Sequence, residues 1–171
     1  MGSFRQSAGG VEALYAYWQG LAGGHTPQRS QLDPADIKKL LPYLYIVKFE
    51  TDPFRVLYVL TGTETDRWND FSLTGRYVDE FVAADKYGAN KILEDSYRRA
   101  YETGQPVFGS YTWPTRAGYM LEVRFGMFPL RVGEKIAQCL AIEDYSNFPP
   151  EMAGDGIPFN DPAKVHPVGR S

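Results

Sequence analysis

Residues 43–62 constrain this chain more than any other stretch. YLYIVKFE (43–50) and FRVLYVLTG (54–62) are rich in β-branched and aromatic residues, and the turn residues TDP (51–53) join them, which is the pattern of a β-hairpin. On the second strand Val56, Tyr58 and Leu60 fall on one face, with Leu57 and Val59 on the other. Both faces are apolar. A sheet of this kind is covered on both sides, so the rest of the chain must supply a second cover.

Two helical patterns offer themselves. Val11, Leu14, Tyr15, Trp18 and Leu21 recur at helical spacing and form one continuous stripe over 11–22, which Gly23–Gly24 ends. A second helix spans about 86–103, with Ala89, Leu93, Tyr97, Ala100 and Tyr101 on one stripe and Gly104 as its stop. Between the first helix and the hairpin, Asp33 caps a short helix that starts at Pro34, buries Ile37, Leu40 and Leu41, and stops at Pro42. Residues 63–89 are irregular: a short capped helix carrying Trp68 inward, the turn SLTGR, and the helical piece VDEFV. Three further strands follow, PVFGSYTW (106–113), GYMLEVRFGMFPL (118–130) and KIAQCLAIEDY (135–145), with TRAG and RVGE as turns. Two strands, a helical crossing and three more strands predict an antiparallel α+β sheet crossed once by a helical layer.

The folding unit is therefore 11–147. Residues 1–10 read as a disordered N-terminus, and 148–171, with five of the twelve prolines, as a flexible tail that buries too little to offset its ordering entropy. No apolar run approaches the ~18 residues of a membrane span, and the N-terminus lacks a secretory apolar region. A net charge of −3 without a basic block gives no nucleic-acid surface. The expectation is a cytoplasmic domain. Its unusual feature is aromatic content: 12 Tyr, 10 Phe and 3 Trp.

The order of elements, and several stretches of wording, resemble the PAS domain, in particular a stand-alone subgroup found in alphaproteobacteria. The stretches are YWQGLAGGHTPQRSQLDPADIKKLLPYLYIVKFE (17–50), RVLYVLTGTETDRW (55–68), SLTGRYVDEF (72–81), YETGQPV (101–107) and FPL (128–130). Leu57 and Val59 depart from the subgroup, which is often polar there. The resemblance implies an α+β fold, a five-stranded antiparallel sheet with a helical layer on one face and an N-terminal helix. It implies also a sensory or protein-interaction module in bacterial signal transduction, a small-molecule ligand between sheet and helices, and a signalling partner protein. No kinase, cyclase or DNA-binding segment accompanies the domain, so output is expected to pass through another chain.

Cofactors known in such domains can be checked against the residues. No histidine lies between 26 and 165, which disfavours His-ligated haem. Cys139 sits mid-strand in QCLAI rather than on a helix, which disfavours a cysteinyl-flavin; its reading is a small buried hydrophobe. The cofactor is left unknown. The expected pocket draws Tyr58 and Leu60 from the second strand, Trp68, Phe81, Leu93 and Tyr97 from the helical layer, and Tyr111, Arg124 and Gln138 from the later strands. The stripe Val11, Leu14, Tyr15, Trp18, Leu21 and the outer residues Leu57 and Val59 must also be buried. Packing the helix on its own sheet satisfies both; so does packing two copies about a two-fold axis, and the homodimer is the expectation.

No Ser-His-Asp order, HExxH spacing or glycine-rich phosphate loop occurs, and His25 and His166 stand in loops, so no catalytic or metal site is expected. Two rivals stay open. One is a cone-shaped α+β isomerase or dehydratase using Asp66, Asp70 or Glu94 as base. The other is an interaction domain with a filled core and no ligand.

Overall fold

The computed structural model describes residues 9–69, 71–114 and 120–144. Asp70, the TRAG turn, His166, the tail and the first eight residues lie outside them. Helix α1 (Gly10–Ala22) leads through three 3-10 turns (Arg29–Gln31, Pro34–Ile37, Leu41–Tyr43) into β1 (Leu44–Glu50) and β2 (Arg55–Thr61). Then come α2 (Thr63–Asn69), α3 (Asp79–Val82), α4 (Ala89–Thr103), β3 (Val107–Pro114), β4 (Met120–Val132) and β5 (Lys135–Asp144). The five strands form one antiparallel sheet in the order β2-β1-β5-β4-β3. This is the α+β architecture read from the sequence. The first ten residues are not wholly irregular, because Gly10 already belongs to α1.

The sheet is covered on both faces. Helix α1 lies over β4 and β5, while α4 lies over β3, β4 and β5 on the other side. Val11, Leu14 and Trp18 of α1 are buried, and Gly126 leaves room for Val11, whose Cγ1 would meet any added Cβ at 2.9 Å. On the inner face, beneath α4, stand Tyr45 and Val47 of β1, Tyr58 of β2, Tyr111 and Trp113 of β3, Phe125 and Met127 of β4, and Cys139, Ala141 and Glu143 of β5. Helix α4 starts at Ala89 rather than near 86. The left-handed Gly88 and the Asp85 carboxylate, which accepts the backbone N–H groups of Tyr87, Gly88 and Asn90, set its first turn there.

The β1–β2 ladder carries a bulge. Ile46 pairs with Leu60 and Val47 with Tyr58, so Val59 has no opposite residue. One extra residue reverses the alternation beyond it. Leu60 therefore leaves the face of Val56 and Tyr58 and stands 47% exposed on the outer side, beside Val59 at 43%. The edge of β2 is not bare. Tyr58 and Val78 donate backbone N–H groups to Arg76 and Val56, and Gly75 donates to Tyr58. Arg55 adds a two-point ion pair to Asp79 at 2.7 and 2.8 Å. No helix among the described residues is long and apolar enough to cross a membrane.

Candidate functional site

Strand alternation places residues 139, 141 and 143 on the inner face of β5, and the third of these is a carboxylate. Glu143 is buried, and its two oxygens accept hydrogen bonds from the hydroxyls of Tyr45 and Tyr111, each at 2.7 Å. The two tyrosines arrive from β1 and β3, on opposite sides of β5, so the register of three strands builds the cluster. Beside it lies a cavity of about 10 Å3, room for about one water. Tyr58, Trp113, Leu93, Phe81, Asn69 and Asn90 contribute to its wall.

Burial, and after it the nearby Glu143 charge, holds the Tyr111 and Tyr58 hydroxyls above the ordinary phenol range. Burial raises Tyr97 in the same way. All three keep their protons at neutral pH. Tyr45 and Tyr111 donate theirs to Glu143, and Tyr58 lines the cavity beside them. Burial likewise pushes up the Cys139 thiol, which is fully enclosed and so no nucleophile.

Of the expected pocket residues, Tyr58, Phe81, Leu93 and Tyr111 meet at this cavity. Trp68 and Tyr97 are buried in the same layer but do not line it. Leu60, Arg124 and Gln138 are corrected. The bulge turns Leu60 outward, while register places Arg124 and Gln138 on the outer face, opposite Asp144 and Leu130. Arg124 is an exposed partner of Glu12 on α1, at 2.8 Å, rather than a ligand clamp. Gln138 is half-buried, and its Oε1 has no hydrogen-bond partner among the described residues. Glu143 and Tyr45 line the cavity and stand outside the set expected from the sequence. The signal was present in QCLAIED, an apolar strand with a carboxylate in phase with two small residues, Cys139 and Ala141.

The stripe of α1 is placed on the chain's own sheet. Val11, Leu14 and Trp18 are buried; Tyr15 stacks on Phe128 and meets Phe108 edge-on, and Leu21 is half-buried. The helix covers β4 and β5, not β2, so Leu57 stays half-buried and Val59 exposed without it. The carboxylates suggested for catalysis stand elsewhere. Asp66 accepts the Thr61 hydroxyl, and Glu94 pairs with Lys91 at 3.3 Å. No group of three or more His, Cys, Asp or Glu among the described residues could hold a metal ion.

One protein family, described as PAS domain, matches residues 7–135. No curated protein matches the chain. Among solved structures it is similar to the PAS domain of a protein from Colwellia psychrerythraea, at 12% identity and TM-score 0.46, covering 66% of this chain and 97% of that one. It is similar to a light-oxygen-voltage domain whose mechanism was probed with a flavin analogue, at 14% identity and TM-score 0.47, covering 66% and 87%. It is similar also to the photo-excited blue-light photoreceptor Vivid, at 14% identity and TM-score 0.48, covering 76% and 92%. At these identities the likeness is one of fold.

Proposed function

The chain belongs to the PAS domain family, and from that premise we propose that it is a bacterial, cytoplasmic sensory and protein-interaction module of the stand-alone subgroup. It acts by changing how its helical layer packs on the sheet, and with that which protein it binds. The observation that carries this reading is the Glu143 cluster. A core built only for stability gains nothing from a carboxylate, because burying one costs several kcal/mol, about what its hydrogen bonds return. Three tyrosines, a glutamate and two asparagines converging between sheet and helices supply the polar groups by which a small ligand is oriented.

A second reading has its own observation. A cavity of about 10 Å3 holds no organic molecule, which favours an interaction domain with a filled core. The isomerase or dehydratase reading is not favoured: Glu143 is engaged by two hydroxyls, and no substrate fits beside it. As assembly we propose a homodimer that covers the outer face of β2, where Val59 and Leu60 lie exposed beyond the reach of α1.

Native mass spectrometry of protein purified from its own host, with an absorption spectrum of the same sample, tests both proposals. A dimer with an added mass supports the ligand-sensing reading. An unloaded protein moves the weight to the filled-core module, and a monomer removes the dimer.

A further inference from the structure

We infer that a groove at the opposite end of β5 from Glu143 binds a free α-amino acid with an apolar side chain, its ammonium held at Glu102 and its carboxylate at Lys135. The site shares no lining residue with the inner cavity, and the inference does not depend on the sensory reading.

The groove has a volume of about 520 Å3, within the range of small-ligand sites. Three elements meet there around Phe49 of β1. The β1–β2 turn brings Thr51, the last turn of α4 brings Tyr101 and Glu102, and the start of β5 brings Lys135 and Ile136. Lys135 opens β5 and Glu143 lies near its close, roughly 26 Å away at ~3.3 Å per residue. The apolar wall is preformed. Phe49 is 6% exposed, with its ring 5.3 Å from Tyr101 and 5.8 Å from Phe54, and Tyr101 lies 5.2 Å from Phe54. Arg98 stacks over Phe54 at 4.4 Å, and Phe54 does not line the groove. The ring surface offered to a ligand is that of Phe49 and Tyr101.

Two opposite charges stand beside this wall. Glu102 and Lys135 are exposed, do not pair with each other, and have no ion-pair partner among the described residues. Glu102 is also the wrong sign for its place. The C-terminal end of a helix is its negative end, and α4 has no basic residue in its last turn, so this carboxylate adds to the charge there instead of offsetting it. A local rule broken without compensation inside the fold points to a functional role. An ammonium group supplies the missing cation. Lys135 supplies the counter-charge for a carboxylate, and Phe49, Tyr101 and Ile136 take the apolar side chain. A free amino acid carries all three features in one small molecule.

Amide NMR on the full chain, titrated with L-phenylalanine, tests the site. The expected result is saturable shifts at 49–51, 101–104 and 135–137, with a Kd of about 1 mM or tighter. Phenethylamine, which lacks the carboxylate, and phenylpropionate, which lacks the ammonium, should each bind about tenfold more weakly. Glu102→Gln and Lys135→Met should weaken L-phenylalanine by about the same factor. Both positions are exposed, so neither change should alter the melting temperature. No saturation by about 10 mM, or an unchanged Kd for either variant or either analogue, overturns the site. Shifts centred on Tyr45, Tyr111 and Glu143 would overturn it too and leave the sensory reading standing, because the molecule would then occupy the inner cavity.

Discussion

Trp18 donates its indole N–H to the carbonyl of Pro129 across 2.8 Å, joining α1 to β4 where that strand has run past β3. The β3–β4 pairing ends at Val107 and Met127. Past it, the side of β4 once occupied by β3 is taken over by the α1 connection, whose Pro27 carbonyl accepts the N–H of Arg131 at 2.8 Å. Proline, with no N–H to give, is tolerated in β4 because it falls in this gap. Trp18→Phe keeps most of the packing and leaves the carbonyl without its donor. It should cost about 1 kcal/mol in urea unfolding, against about 3–5 kcal/mol for Trp18→Ala. Equal costs would mean the bond contributes nothing.

The Glu143 cluster should behave as a unit. Tyr45→Phe and Tyr111→Phe each remove one hydrogen bond to a carboxylate and are expected to cost about 1.5–3 kcal/mol singly. Because both act on the same group, the double variant should deviate from the sum by at least about 0.5 kcal/mol. Additive costs in a double-mutant cycle would show that the two tyrosines do not share Glu143.

Gly62→Ala should be among the most damaging conservative changes. Its Cβ would meet backbone atoms of Leu41 and Pro42 at 2.3–2.5 Å, which cannot turn aside as a side chain does. An overpacking cost of about 3 kcal/mol is expected, read as a lowered melting temperature. Gly20→Ala, where nothing lies within 4 Å, is the control and should not destabilise.

Tyr58, Tyr97 and Tyr111 have folded-state pKa values raised by burial. A raised pKa means that the unfolded chain releases the proton first. The contribution of these groups is complete below about pH 10, the ordinary phenol value, and is lost as pH climbs above it. Absorbance at alkaline pH should show these three phenolates appearing together with unfolding, and stability should fall with pH there. Smooth ionisation of all twelve tyrosines in a folded protein would contradict their enclosure.

The exposed pair on β2 offers a test of assembly. Val59→Ser with Leu60→Ser should leave folding within about 0.5 kcal/mol, because neither side chain is buried. Light scattering should then show a shift from dimer toward monomer. A dimer that survives the double change does not use this face.

What could be read along the chain was whatever depends on near neighbours. Apolar spacing and the glycine stops placed α1 and α4, and alternation with turn residues placed the strands within a few residues, because helix and strand periods are properties of consecutive positions. The bulge at Val59 left no such mark. VLYVL is apolar in either phase, so only the partners Ile46 and Val47 decide where the extra residue falls. The same holds for the pocket. Leu60, Arg124 and Gln138 were plausible linings on composition, and register carried all three to the outer face.

Local pattern sufficed for a two-strand, helix, three-strand order with both sheet faces apolar. Which face is the interior, and what meets there, follows from pairing between distant strands. Tyr45 and Glu143 lie 98 residues apart, and Tyr111 reaches the same carboxylate from the far side of β5. Their convergence depends on the pairing of β1 and β4 with β5, and a slip of one residue would have sent Glu143 to the opposite face.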